Sequence, residues 1–78
     1  MTNLFHILQL HPNDNIAIAK IHLAPQSIVS EQTVTLEEIP AAHKVALENI
    51  FQGDAILRYG QIIGFATQDI KAGEHVHV

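Results

Sequence analysis

The sequence predicts a small all-β domain of short strands and turns, with at most one or two helical turns. Short apolar runs alternate with clusters of Pro, Asn, Asp and Gly, a pattern that indicates strands interrupted by turns. Apolar residues make up 47% of the chain and charged residues 15%, which favours a packed core over disorder. A chain of 78 residues has room for one domain, spanning 1–78.

The first half of the chain contains three predicted strands. FHILQL (5–10) is the first strand, and HPNDN (11–15) is a turn because Pro, Asn and Asp favour turn conformations. Within it, the side chains of Asp14 and Asn15 are expected to build the turn that they occupy. IAIAKI (16–21) is apolar at nearly every position, which indicates a strand buried on both faces or against a neighbour, and TVTL (33–36) alternates as a third strand.

The second half contains one ambiguous segment and one hairpin. AAHKVALENIF (41–51) has a rough helical spacing of apolar residues, so it is the place where a helical turn is allowed. RYGQIIGFAT (58–67) is strand-like but carries Gly60 and Gly64, and is predicted to fold as a hairpin.

A weak internal repeat supports the β prediction. Four times, an aliphatic residue is followed six positions later by another, with turn-like residues between them. Two of the four central positions are glycine, which supplies the positive φ of a tight turn without steric cost. The repeats therefore predict a chain that leaves the core, turns at the surface and returns. They are Leu23–Val29, Ile39–Val45, Ile50–Ile56 and Ile70–Val76, with Gln26, Ala42, Gly53 and Gly73 at their centres.

Composition excludes some function classes. A net charge of −4 with four scattered Lys and Arg residues argues against nucleic-acid binding. No apolar run approaches the roughly 20 residues of a membrane span, and the N-terminus lacks signal-peptide features, so a cytoplasmic location is expected. The low charge fraction suggests that another domain or subunit covers part of the surface. A small apolar monomer and a homo-oligomer are the alternatives.

Histidines are the first candidates for chemistry. His75 and His77 are two apart on a predicted strand, so their side chains share one face while Val76 and Val78 point inward. Two imidazoles can chelate a metal, but a complete site needs three or four ligands. A solvated strand face is the alternative.

Two further pairs of residues could act on a substrate. His43 can exchange protons near neutral pH and Lys44 beside it can hold a carboxylate, although a surface loop with incidental charge explains both. Arg58 and Tyr59 could line a binding pocket, and the alternative for Tyr59 is a core position.

Four segments together make the chain resemble the N-terminal SAF domain of the altronate/galactarate dehydratase family, and altronate dehydratases in particular. The family usually has Gly where Ala42 stands, before the His-Lys pair. The segments are HPNDNIAIA (11–19), IPAAHKVAL (39–47), ILRYGQIIGFAT (56–67) and DIKAGEHVHV (69–78).

The resemblance implies a β-clip fold and a part in dehydrating a sugar acid, or a related sulfo-acid, with Fe²⁺ or Mn²⁺. A larger catalytic domain or subunit would carry most of the active site, so the isolated chain is expected to be inactive. Related SAF domains also occur in sialic acid synthases, flagellar assembly proteins and type III antifreeze proteins, so a non-catalytic binding or structural module is the alternative. In the dehydratase interpretation the metal ligands are His75 and His77, the catalytic pair is His43 and Lys44, and the substrate-binding pair is Arg58 and Tyr59.

Overall fold

The computed structural model describes residues 6–77, which form eight short strands and no helix. The all-β prediction is confirmed, and none of the described residues belongs to a helix that could cross a membrane. Phe5 of the first predicted strand and Val78, which was predicted to point inward, lie outside the described residues. The strands are β1 (Ile7–Leu8), β2 (Ile16–Ala19), β3 (Ile28–Ser30), β4 (Thr33–Val34), β5 (Lys44–Ala46), β6 (Ala55–Arg58), β7 (Gln61–Phe65) and β8 (His75–Val76).

A four-stranded antiparallel sheet, in the order β1-β2-β5-β8, lies at the centre of the domain. The prediction that β2 is buried on both faces is confirmed, because alternate β2 residues enter two different core clusters. One cluster contains Ala17, Ala19 and Val45, and the other contains Ile16 and Ala46. The central sheet therefore separates two small cores.

The helical alternative for residues 41–51 is wrong. Lys44–Ala46 is strand β5, and Ile50 forms an isolated antiparallel bridge with Ile70. Val45 and Ala46 are both fully buried, one in each core cluster. Consecutive residues reach opposite sides in a strand, whereas a helix would have placed them close together on one side.

The repeat prediction is confirmed at all four turns. In each repeat the fifth residue donates its backbone N–H to the carbonyl of the second, at 2.8–3.3 Å. The fourth residue of each repeat has positive φ, as the third position of a type II turn requires. The first residues of the repeats also bridge in pairs, Leu23 with Ile39 and Ile50 with Ile70. The central φ values are 66° at Gln26, 71° at Ala42, 89° at Gly53 and 91° at Gly73.

The turn centred on Ala42 leads to a first prediction. Alanine at φ 71° bears a left-handed strain of about 1–2 kcal/mol, which glycine avoids at an entropic cost of about 0.4–1 kcal/mol. Ala42→Gly is therefore expected to stabilise the domain by about 0.5–1 kcal/mol, measured by urea unfolding. Ala41→Gly, at the neighbouring exposed position without positive φ, is the control and should destabilise it. Equal destabilisation by both substitutions would contradict the strain argument.

The predicted hairpin is β6–β7, and its two-residue turn is held by the distant HPNDN segment. Tyr59 and Gly60 have φ of 58° and 69°, as a type I′ turn needs. The Asp14 carboxylate accepts their backbone N–H groups at 2.9 and 2.7 Å, while the Asn15 side chain bonds the backbone of β6. These two side chains thus bond the distant hairpin, whereas the hydrogen bonds within residues 11–15 are accepted by His11.

Candidate functional site

The central sheet positions an open cleft of about 430 Å³, which contains four of the predicted site residues. His75 pairs with Val45 in the β5–β8 register, and His43 directly precedes β5. The left-handed turn at Ala42 delivers His43 to this edge, where its backbone N–H bonds Pro40 at 3.1 Å. The cleft is lined by Ala42, His43, Lys44, His75, Val76 and His77.

Three histidines in the cleft form a continuous hydrogen-bonded chain. His43 Nδ1 lies 2.9 Å from His75 Nε2, and His75 Nδ1 lies 3.0 Å from His77 Nε2. The rings of His75 and His77 meet edge to face, with centroids 4.0 Å apart. His75 and His77 do project together, as the sequence predicts, and His43 joins them although nothing in the local sequence connects it to β8.

The chain of imidazoles leaves its two ends open. Both ring nitrogens of His75 are engaged by the neighbouring histidines. Within residues 6–77, neither His43 Nε2 nor His77 Nδ1 has a hydrogen-bond partner. The outer nitrogens are therefore the positions from which this chain can approach a ligand.

Burial lowers the pKa of His75 from its ordinary value of 6.5, and positive charge on His77, His43 and Lys44 lowers it further. The Glu37 carboxylate opposes this effect and accepts the His75 backbone N–H at 3.0 Å. His75 is consequently neutral near pH 7. A neutral imidazole is the form that relays hydrogen bonds and binds metals.

Glu37 is a site residue that the sequence did not reveal. Glu37 and Glu38 look like a solvated pair, yet Glu37 contacts β8 while Glu38 pairs with His22 at 3.0 Å. Glu37 and His75 are 38 positions apart, and no local pattern joins them.

Lys44 lies at the cleft but not in the histidine chain. Its Cα pairs with buried Val76, whereas His75 pairs with Val45. Because side chains alternate along a strand, the Lys44 side chain starts on the opposite face from that of His75. The lysine contributes positive charge at the cleft edge.

The structure does not bring Arg58 and Tyr59 to the histidines. Both lie at the end of the β6–β7 hairpin, and neither lines the cleft. Tyr59 is 62% exposed, so the alternative that placed it in the core is wrong. Their role in substrate binding stays a prediction.

The donor set in the cleft fits a divalent cation only as part of a larger set. Among residues 6–77, no group of three or more His, Cys, Asp or Glu residues is arranged to hold a metal ion. His77 has one open nitrogen, but His75 would have to release a hydrogen bond to become a ligand. Since a metal site needs at least three protein ligands, others must come from outside these residues.

Comparison with known proteins identifies the family. A family model described as the altronate/galactarate dehydratase SAF domain matches residues 5–78. Altronate dehydratase of Escherichia coli is 44% identical over 73 residues, and that of Bacillus subtilis 36% over 74; these matches cover 90% and 91% of this chain. In both cases the match spans only 15% of the dehydratase.

A relative of another kind carries a similar segment. The (2R)-sulfolactate sulfo-lyase subunit alpha of Paracoccus pantotrophus is 42% identical over 40 residues, which cover 51% of this chain and 60% of that subunit. With the match to the family model over nearly its whole length, the chain belongs to the altronate/galactarate dehydratase SAF domain family.

Proposed function

We propose that this chain is the N-terminal domain, or a separate small subunit, of a sugar-acid dehydratase. Its histidine cleft then completes an active site that a larger catalytic region mainly forms. The observation that carries the proposal is the chain of His43, His75 and His77, which has two open ends and cannot hold a metal by itself. The relatives support it, because the matched segment is a minor part of each dehydratase.

The residues of the cleft suit the removal of water from a hydroxy acid. Loss of a proton beside a carboxylate needs stabilisation of negative charge, and the departing hydroxide needs a proton donor. Lys44 supplies positive charge for the carboxylate. His43 Nε2, at the open end of the imidazole chain, donates or accepts a proton, while His75 holds the His43 ring in place through its 2.9 Å hydrogen bond.

The proposed ligands from this chain are His77 and, after release of one hydrogen bond, His75. The chemistry supplied by a bound Fe²⁺ or Mn²⁺ is Lewis-acid stabilisation of negative charge on the substrate. Arg58 and Tyr59 are proposed to reach the substrate only if the larger region lies across both the hairpin and the cleft.

A fusion enzyme tests this function. This chain replaces the matched segment of E. coli altronate dehydratase, and 2-keto-3-deoxy acid formation from altronate and from galactarate is measured with added Fe²⁺ or Mn²⁺. The 78-residue chain alone should be inactive and the fusion active. His77→Ala should lower kcat/KM by about 10–100-fold or more. Loss of a residue that supports a metal site, or of one that transfers a proton, has an effect of that size.

His22→Ala is the control variant, because His22 is an exposed histidine outside the cleft. It should retain activity. Full activity of His77→Ala, or of the dehydratase without any SAF segment, would reduce the domain to a structural or regulatory module.

A further inference from the structure

The β6–β7 hairpin presents an apolar face to solvent. Cross-strand partners share a face, so Phe65 lies beside Ala55 and Ile62 beside Leu57. Phe65 is 60% exposed and Ile62 58%. The strand that carries them, Gln61–Phe65, contains no charged residue. Exposed apolar clusters of this kind mark interaction surfaces.

This face continues directly into the histidine cleft. A groove of about 250 Å³ runs from Phe65 past Ala66 and Ile70 to His77. His77 lines both the groove and the cleft. Any protein region that brings additional ligands to His77 must therefore lie beside the groove.

We propose that the hairpin groove, lined by Phe65, Ala66, Ile70 and His77, is together with the adjoining exposed face of Ile62 the docking surface for the larger catalytic region of the dehydratase. This inference rests on the proposed function. The matched segment covers only 15% of each altronate dehydratase, so most of the enzyme lies outside the SAF domain. In the sulfo-lyase, a similar segment occurs in a protein named as a subunit.

The chemistry of the surface specifies its occupant. Apolar side chains of the catalytic region fill the groove between Phe65 and Ile70. Polar or metal-ligating groups follow at the His77 end, where the open Nδ1 lies. Docking thus excludes water from the hairpin face and places the catalytic region against the imidazole chain, which makes the SAF domain a wall of the active site.

A second apolar face serves as an internal comparison. On the β3–β4 hairpin, the paired residues Ile28 and Val34 are 58% and 44% exposed. Neither lines the cleft or the groove. The two faces are similarly exposed, but only the β6–β7 face adjoins the cleft. A docking surface beside the cleft would be protected on the β6–β7 face alone, whereas general surface hydrophobicity would affect both faces.

Hydrogen exchange measured by mass spectrometry tests the proposal. Backbone amides of residues 61–66 and 75–77 should exchange at least about tenfold more slowly in the fusion enzyme than in the isolated chain, whereas residues 28–34 should not change. Phe65→Ser should remove that protection in the fusion and leave the unfolding midpoint of the isolated chain nearly unchanged. Ile28→Ser should leave both the protection in the fusion and the unfolding midpoint of the isolated chain nearly unchanged.

Several outcomes would overturn the proposal. The first is equal exchange of residues 61–66 in the fusion enzyme and in the isolated chain. The second is protection of the β3–β4 face in place of the β6–β7 face. The third is protection of the isolated chain that increases with its concentration, which would make a second copy of the chain the occupant. Exchange in unmodified E. coli altronate dehydratase, at positions aligned with 61–66 and with 28–34, gives the same comparison without a fusion. Because exchange is independent of turnover, protection without dehydration would reject the proposed function alone, and dehydration without protection would reject the docking surface alone.

Discussion

Gly73→Ala is expected to destabilise the domain by about 3–5 kcal/mol, enough to unfold much of it at 37 °C. Gly73 has φ 91°, and an added Cβ would overlap the carbonyl oxygen of Val34 and lie 3.0 Å from the carbonyl carbon. The backbone cannot move away, because the Gly73 N–H bonds Ala46 and its carbonyl accepts the N–H of Leu36. Urea unfolding followed by far-UV circular dichroism measures the loss.

Gly53→Ala separates the steric effect from the backbone effect. Gly53 occupies the same position of its repeat at φ 89°, but an added Cβ would meet no atom within 4 Å. Its cost is therefore the left-handed strain of about 1–2 kcal/mol less the entropic gain of about 0.4–1 kcal/mol on replacing glycine, a net of about 0.5–1 kcal/mol. Similar losses for Gly73→Ala and Gly53→Ala would show that contact with Val34 does not determine the identity of residue 73.

Asp14→Ala is expected to cost about 2–4 kcal/mol. The Asp14 side chain is buried, with 4% of the residue exposed, and accepts the N–H groups of Tyr59 and Gly60. Alanine would leave two amide donors without their acceptor in a partly buried position, and charge-assisted bonds are stronger than neutral ones. Chemical unfolding measures the free energy, and hydrogen exchange should show that residues 58–61 lose protection first.

Asp54→Ala is the matched control for that experiment. The Asp54 carboxylate also accepts a backbone N–H, from Phe51 at 3.1 Å, but in an exposed turn. Its loss should cost about 0.5–1 kcal/mol, because water replaces the carboxylate. A cost for Asp14→Ala no greater than that of Asp54→Ala would mean that the turn of the hairpin is stable without its brace.

Local signals were sufficient where a conformation depends on near neighbours. Gly53 and Gly73 indicated turns with positive φ because glycine adopts that conformation without steric cost, and the aliphatic residues six apart placed turns at Gln26 and Ala42. The structure adds that Gln26 and Ala42 also have positive φ. The helical alternative within 41–51 failed because a short apolar run fits both the 3.6-residue period of a helix and the two-residue period of a strand. Burial of Val45 and Ala46 on opposite sides of the sheet decides between them.

The site was predictable only in its components. Alternation along a strand was enough to place His75 and His77 together. The contact of His43 with His75 spans 32 positions, and that of Glu37 with His75 spans 38. Arg58 and Tyr59, which were expected to join a pocket, instead mark the far end of the hairpin.

The sequence by itself determined the all-β class, the four turns with positive φ at Gly53 and Gly73, the hairpin and the shared face of the last two histidines, since each depends on steric preferences of neighbouring residues. Its four motifs also determined the family. Only the tertiary structure decided that Asp14 holds a turn 45 positions away and that three histidines form one chain. The tertiary structure also places the exposed face of the β6–β7 hairpin beside these histidines. The physical reason is that strand register, set by the packing of the two cores, selects which distant residues meet.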